Sequence, residues 1–99
     1  MGTYKVIDKN GNELSTEIIL HPGEVLGEEL AARGIKKSAF AMDIKIYPSH
    51  FSDILKGRRN ISAAIAIKLE EKLNISAEFW MRLQTEYDIK MERKKMALA

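Results

Sequence analysis

The segment IYPSHFSDILKGRR, residues 46–59, gathers side chains that can recognise hydrogen-bonding edges and anions. Phe51, Ile54 and Leu55 follow the i, i+3, i+4 spacing of one helical face. That spacing turns Tyr47, Ser49, His50, Ser52, Asp53 and Lys56 outward or to the rim. Ser49 bonds several kinds of base edge and so reads weakly, His50 suits guanine or a phosphate, and Asp53 suits cytosine N4 but repels a phosphate. Tyr47 can touch a thymine methyl or bond a phosphate. Arg58, Arg59 and Asn60 follow Gly57. A cationic loop there suits phosphates, whose contacts position a protein without specifying sequence.

The charge of the chain is distributed to match. Net charge over the 99 residues is only +2. Residues 1–32 hold two basic and six acidic groups, residues 33–60 seven and two, and residues 61–99 seven and six. The positive charge is thus concentrated around the segment above, as a polyanion partner would require. Other chemistries lack their residues. With no cysteine there is no disulfide, thiolate metal site or cysteine nucleophile. His21 and His50 cannot build a zinc site alone. No glycine-rich phosphate loop occurs, and no histidine has a carboxylate at motif spacing, so neither an enzyme nor a cofactor is expected. The longest strictly apolar run, Ala63 to Ile67, is far too short for a bilayer. No signal peptide is evident, and a soluble cytoplasmic protein is expected.

The elements that must position these residues read as helices after an N-terminal arm. Residues 4–20 place Asn10-Gly11 between β-prone runs, a hairpin signal. Residues 1–20 are therefore an arm or short hairpin, which must pack on the helices, a partner or a second copy. Pro22 and the following glutamates open a first helix that Gly34 stops, with Val25, Leu26 and Leu30 inward. A second helix covers about Lys37 to Ile44, with Phe40, Ala41 and Ile44 inward. The third starts near Pro48 and ends before Gly57. Ser62 caps a fourth, with Ile65, Leu69 and Leu73 inward and Asn74 as its stop. Ser76 caps a long fifth helix whose stripe runs Trp80, Leu83, Tyr87, Met91. The helical domain spans 21–95, and the tail 96–99 is expected to fray.

An all-α chain whose short second and third helices are joined by a tight turn has the grammar of a helix-turn-helix. Ala41 stands where a small residue lets the two helices cross closely, and Ile46 where an apolar residue plugs the turn. The third helix would enter the major groove with its N-terminus leading. Base contacts are then expected from Tyr47, Pro48, Ser49, His50 and Asp53. Phosphate contacts are expected from Lys36, Lys37, Ser38, Lys56, Arg58, Arg59 and Asn60, helped by the free N–H groups that open the second helix. The arginine-to-guanine bidentate contact is missing from the third helix. The stripe on the fifth helix, Trp80, Leu83, Tyr87 and Met91, reads as core that continues into a homodimer seam.

Residues 21–90 resemble a HigA-type antitoxin of the phage-repressor-like (XRE) helix-turn-helix family. The matching segments are HPGEVLGEEL, FAMDIKIYPSHFSDILKGRRNIS and SAEFWMRLQTEYDI, in that order. The resemblance implies a five-helix phage-repressor-like domain, dimeric operator DNA binding, and neutralisation of a toxin encoded beside it, usually a RelE-like protein that cleaves messenger RNA. A stand-alone repressor without a toxin, or a protein-binding module that no longer reads DNA, are the alternatives.

Two positions depart from the family pattern. The turn before the third helix often carries glycine where this chain has Lys45. Left-handed geometry there implies strain of roughly 1–2 kcal/mol. Pro48 stands where related repressors often carry a polar base reader. Its ring can meet a thymine methyl but forms no hydrogen bond.

Overall fold

The computed structural model describes residues 6–7, 13–14 and 19–98. Five helices follow in chain order: α1 (Pro22–Ala32), α2 (Lys37–Asp43), α3 (Pro48–Leu55), α4 (Ala63–Leu73) and α5 (Ala77–Leu98). Upstream, β1 (Val6–Ile7) and β2 (Glu13–Leu14) pair antiparallel, Val6 opposite Leu14. The expected Asn10-Gly11 turn and the rest of the arm lie outside the described residues.

Local chemistry accounts for the helix limits. His21 opens α1: its Nδ1 accepts the Gly23 N–H at 2.8 Å, and Pro22 occupies the first turn, where its missing donor costs nothing. The Ser62 hydroxyl accepts the Ile65 N–H at 3.2 Å, and the Ser76 hydroxyl accepts the Phe79 N–H at 3.1 Å, so both serines cap as expected. Asn74, at φ 58°, closes α4 in left-handed geometry. Towards the other end of the chain α5 runs to Leu98.

α1, α2 and α3 end in one and the same way. In each, a left-handed residue sits two places beyond the helix, and the N–H groups at and after it turn back onto the last turn. Gly34 donates to Ala31 at 3.1 Å and Ile35 to Leu30 at 2.9 Å. Lys45 donates to Met42 at 3.1 Å and Ile46 to Ala41 at 2.9 Å. Gly57 donates to Ile54 at 3.0 Å and Arg58 to Asp53 at 2.8 Å. The left-handed residues have φ of 68°, 59° and 77°. The α2–α3 turn therefore keeps the geometry usually given to glycine, and Lys45 carries the strain.

One core joins the helices. Leu26 and Leu30 of α1, Phe40, Ala41 and Ile44 of α2 and its exit, Phe51 and Ile54 of α3, Ile61, the α4 residues Ile65, Ala66, Leu69 and Leu73, and Trp80 of α5 are all buried together. Two polar groups are tied into it. The Gln84 side chain accepts the Ile61 N–H at 2.7 Å and donates to Asp88 at 2.9 Å. Arg33 reaches across from α1 to donate to the Leu73 carbonyl at 2.8 Å.

The position of α3 is set by α1. A Cβ built on Gly23 would lie 1.8 Å from the Ile54 carbonyl oxygen, so the two backbones touch where the first turn of α1 meets the last turn of α3. Among the described residues no helix is long and apolar enough to cross a membrane.

Candidate nucleic-acid interface

Phe51 and Ile54 bury one side of α3 and leave the other outward. Tyr47, just ahead of the helix, is 82% exposed. Pro48 and Ser49 in the first turn are also exposed, while His50, Ser52 and Asp53 are half-buried along the flank. An exposed tyrosine beside an exposed proline ring gives the leading end of α3 apolar as well as polar contact atoms. That mixture suits a groove presenting methyl groups beside hydrogen-bonding edges.

Lys36, Lys37 and Ser38 at the entry to α2 are exposed, as are Lys56, Arg58, Arg59 and Asn60 after α3. The fold brings part of each segment together. Lys37 and Ser38 line a cleft of about 270 Å³ together with Pro48, Ser52 and Lys56. Ser52 thus belongs to the candidate surface although its position on the helix rim gave it no separate role. Lys45, exposed in the α2–α3 turn, adds charge to the same helix pair.

Asp53, expected at a base edge, is also tied to the loop that follows α3. Its carboxylate lies 3.5 Å from Arg59 Nε, and its carbonyl accepts the Arg58 N–H at 2.8 Å and the Arg59 N–H at 3.3 Å.

The residues of the expected seam on α5 differ in exposure. Trp80 has no exposed surface and lies wholly in the core, so it offers nothing to a second copy. Leu83 and Tyr87 are half-buried. Tyr87 packs edge-on against His21, ring centres 4.7 Å apart at 78°. The apolar side chains that α5 leaves exposed are Ile89, Met91, Met96 and Leu98.

His21 has a displaced pKa. Burial lowers it from the ordinary 6.5, against the opposing influence of Glu24, Asp88 and the Arg59 backbone. Its Nε2 is buried with no hydrogen-bond partner among the described residues. His21 also lies under the α3 exit, where a Cβ on Gly57 would sit 3.5 Å from the imidazole. The HPG start of α1 is thus the support of the α3 exit. The sequence signal for it is Gly23 itself, a residue that weakens a helix unless a neighbour needs the space. Among the described residues no group of three or more histidines and carboxylates could hold a metal.

No protein-family profile matches the chain. It is 36% identical over 81 residues to virulence-associated protein I of Dichelobacter nodosus, covering 80% of this chain and 75% of that protein. An addiction module antidote protein of a HigA family from Coxiella burnetii superposes with a TM-score of 0.75 at 38% identity, covering 80% of this chain and 87% of that one. The Pseudomonas aeruginosa antitoxin HigA, solved with the higBA promoter, gives a TM-score of 0.75 at 37% identity over 79% and 86% of the two chains. A further P. aeruginosa protein, solved with its 18-base-pair operator DNA, gives 0.72 at 38% identity over 76% and 82%. At 37% and 38% identity over most of both chains, the chain belongs to the HigA family of helix-turn-helix antitoxins.

Proposed function

We propose that this protein binds operator DNA as a homodimer, represses its own operon, and neutralises a RelE-like RNA-cleaving toxin encoded beside it. The observation that carries the DNA reading is the cleft that Lys37 and Ser38 of α2 share with Pro48, Ser52 and Lys56, beside an α3 start, Tyr47 to Ser49, that is exposed. Tyr47, Pro48, Ser49 and His50 meet base edges. Lys36, Lys37, Ser38, Lys56, Arg58, Arg59 and Asn60 meet phosphates. Relatives at 37% and 38% identity have been solved with promoter or operator DNA, which supports the same use of this surface.

The dimer is the finer part of the reading. It is supported by the apolar side chains Ile89, Met91, Met96 and Leu98, exposed on a helix that continues past the core. A two-fold partner gives such a surface cover. The toxin reading is supported by the antidote and antitoxin relatives.

A salt titration of binding to the protein's own promoter tests the DNA reading. Affinity must fall steeply as salt rises, because each neutralised phosphate releases counterions. Binding that is absent, or indifferent to salt, sinks it. Co-purification with the product of the adjacent open reading frame tests the toxin partner.

A further inference from the structure

We propose that Asp53 positions the two arginines after α3 and does not read a base. The inference rests on the DNA-binding reading above and assigns a residue role within it.

The argument starts from the three equivalent helix exits. After α1 and α2, the residue beyond the left-handed position is apolar and so is the residue whose carbonyl it bonds: Ile35 with Leu30, and Ile46 with Ala41. All four pack in or against the core. Apolar burial thus holds those two exits in direction. After α3 the equivalent pair is Arg58 with Asp53. Both are polar and Arg58 is exposed, so this pair makes no apolar contact of the kind seen at the other two exits. Asp53 replaces that contact twice over. Its carbonyl takes both arginine N–H groups, at 2.8 and 3.3 Å, and its carboxylate faces Arg59 Nε at 3.5 Å.

The electrostatics agree. A lone carboxylate beside a phosphate backbone is repelled, so an aspartate on this flank needs a cation of its own. Arg59 supplies it through Nε, which leaves its terminal nitrogens for phosphate oxygens. The pair is about half exposed and contributes little to folding stability, so its removal tests orientation and not the fold.

Asp53→Asn keeps size and removes the ion pair. Binding of the variant to the native promoter, and to a panel with each half-site base pair replaced, would be measured at two salt concentrations. The expected result is a loss of roughly three- to tenfold on every sequence, the scale of one hydrogen bond of ordinary strength. The order of base preferences stays unchanged. In an Arg59→Ala background the same substitution produces no further loss. Asp53→Glu, which restores the charge, recovers part of the affinity, and the thermal midpoint of each variant checks that folding is intact. Three outcomes would overturn the proposal: relaxed preference at a single base pair, tighter binding to all sequences, or an undiminished loss when Arg59 is absent. If the unchanged protein shows no salt-sensitive binding, the functional reading itself falls and takes this inference with it.

Discussion

The backbone of Gly23 lies against the carbonyl of Ile54 with no room for a side chain between them, since a Cβ would approach that oxygen to 1.8 Å. Two opposing effects bear on Gly23→Ala. Alanine gains about 1 kcal/mol of helix propensity, but it forces apart two helix ends whose overpacking costs about 1–3 kcal/mol or more. The clash is with backbone, which cannot swing aside, so the second effect wins. Gly23→Ala should lower the urea midpoint and weaken promoter binding, because α3 is displaced. A midpoint equal to or above that of the unchanged protein would contradict the packing described.

His21 makes stability depend on pH. Unfolded, the imidazole takes its proton near 6.5; folded, burial delays that to lower pH. The unfolded chain then binds more protons below about 6.5, so stability is complete above that value and falls as the pH drops through the lowered folded pKa. His21→Asn keeps an acceptor for the Gly23 N–H but does not titrate. Its denaturation midpoint should decline less steeply on the acid side. Parallel pH profiles for the two proteins would refute the assignment.

Lys45, at φ 59°, holds a conformation that a side chain disfavours by about 1–2 kcal/mol. Glycine removes the strain but loses about 0.5–1 kcal/mol to unfolded-state freedom. Lys45→Gly should therefore stabilise by up to about 1.5 kcal/mol, and Lys45→Val, branched at Cβ, should destabilise. Opposite signs in chemical denaturation are the test.

Helix limits were legible because their punctuation is local: Pro22, Gly34, Pro48, Gly57, Ser62, Asn74 and Ser76 each act within one turn. The core face of α5 was less so. Periodicity picked Trp80, Leu83 and Tyr87, whereas the buried residues are Trp80 and Gln84, four apart. Gln84 reads as polar until Ile61 is known to present an N–H to it. The role of Asp53 was hidden for a related reason, since its partners come from a loop whose path back depends on Gly57.

Gln84→Leu keeps the volume but leaves the Ile61 N–H buried without an acceptor. The cost is about 1–3 kcal/mol. Thermal unfolding measures it, and an unchanged midpoint would mean that water reaches that N–H.

Substitutions at the candidate interface should divide by kind. Arg58→Ala and Arg59→Ala should weaken all DNA sequences alike, each lowering the salt slope by about one. Ser49→Ala and His50→Ala should alter preference between sequences. Competition binding with varied half-sites separates the two patterns. Equal loss of selectivity from both kinds would undo the division.

The chain has one tryptophan, and it is sealed in the core on α5, a helix that carries none of the candidate DNA contacts. Trp80 is therefore a built-in optical probe of folding. Its emission should shift to the red when the helices separate and stay quiet when DNA is added, so every variant above can be checked for folding in the same cuvette that measures binding.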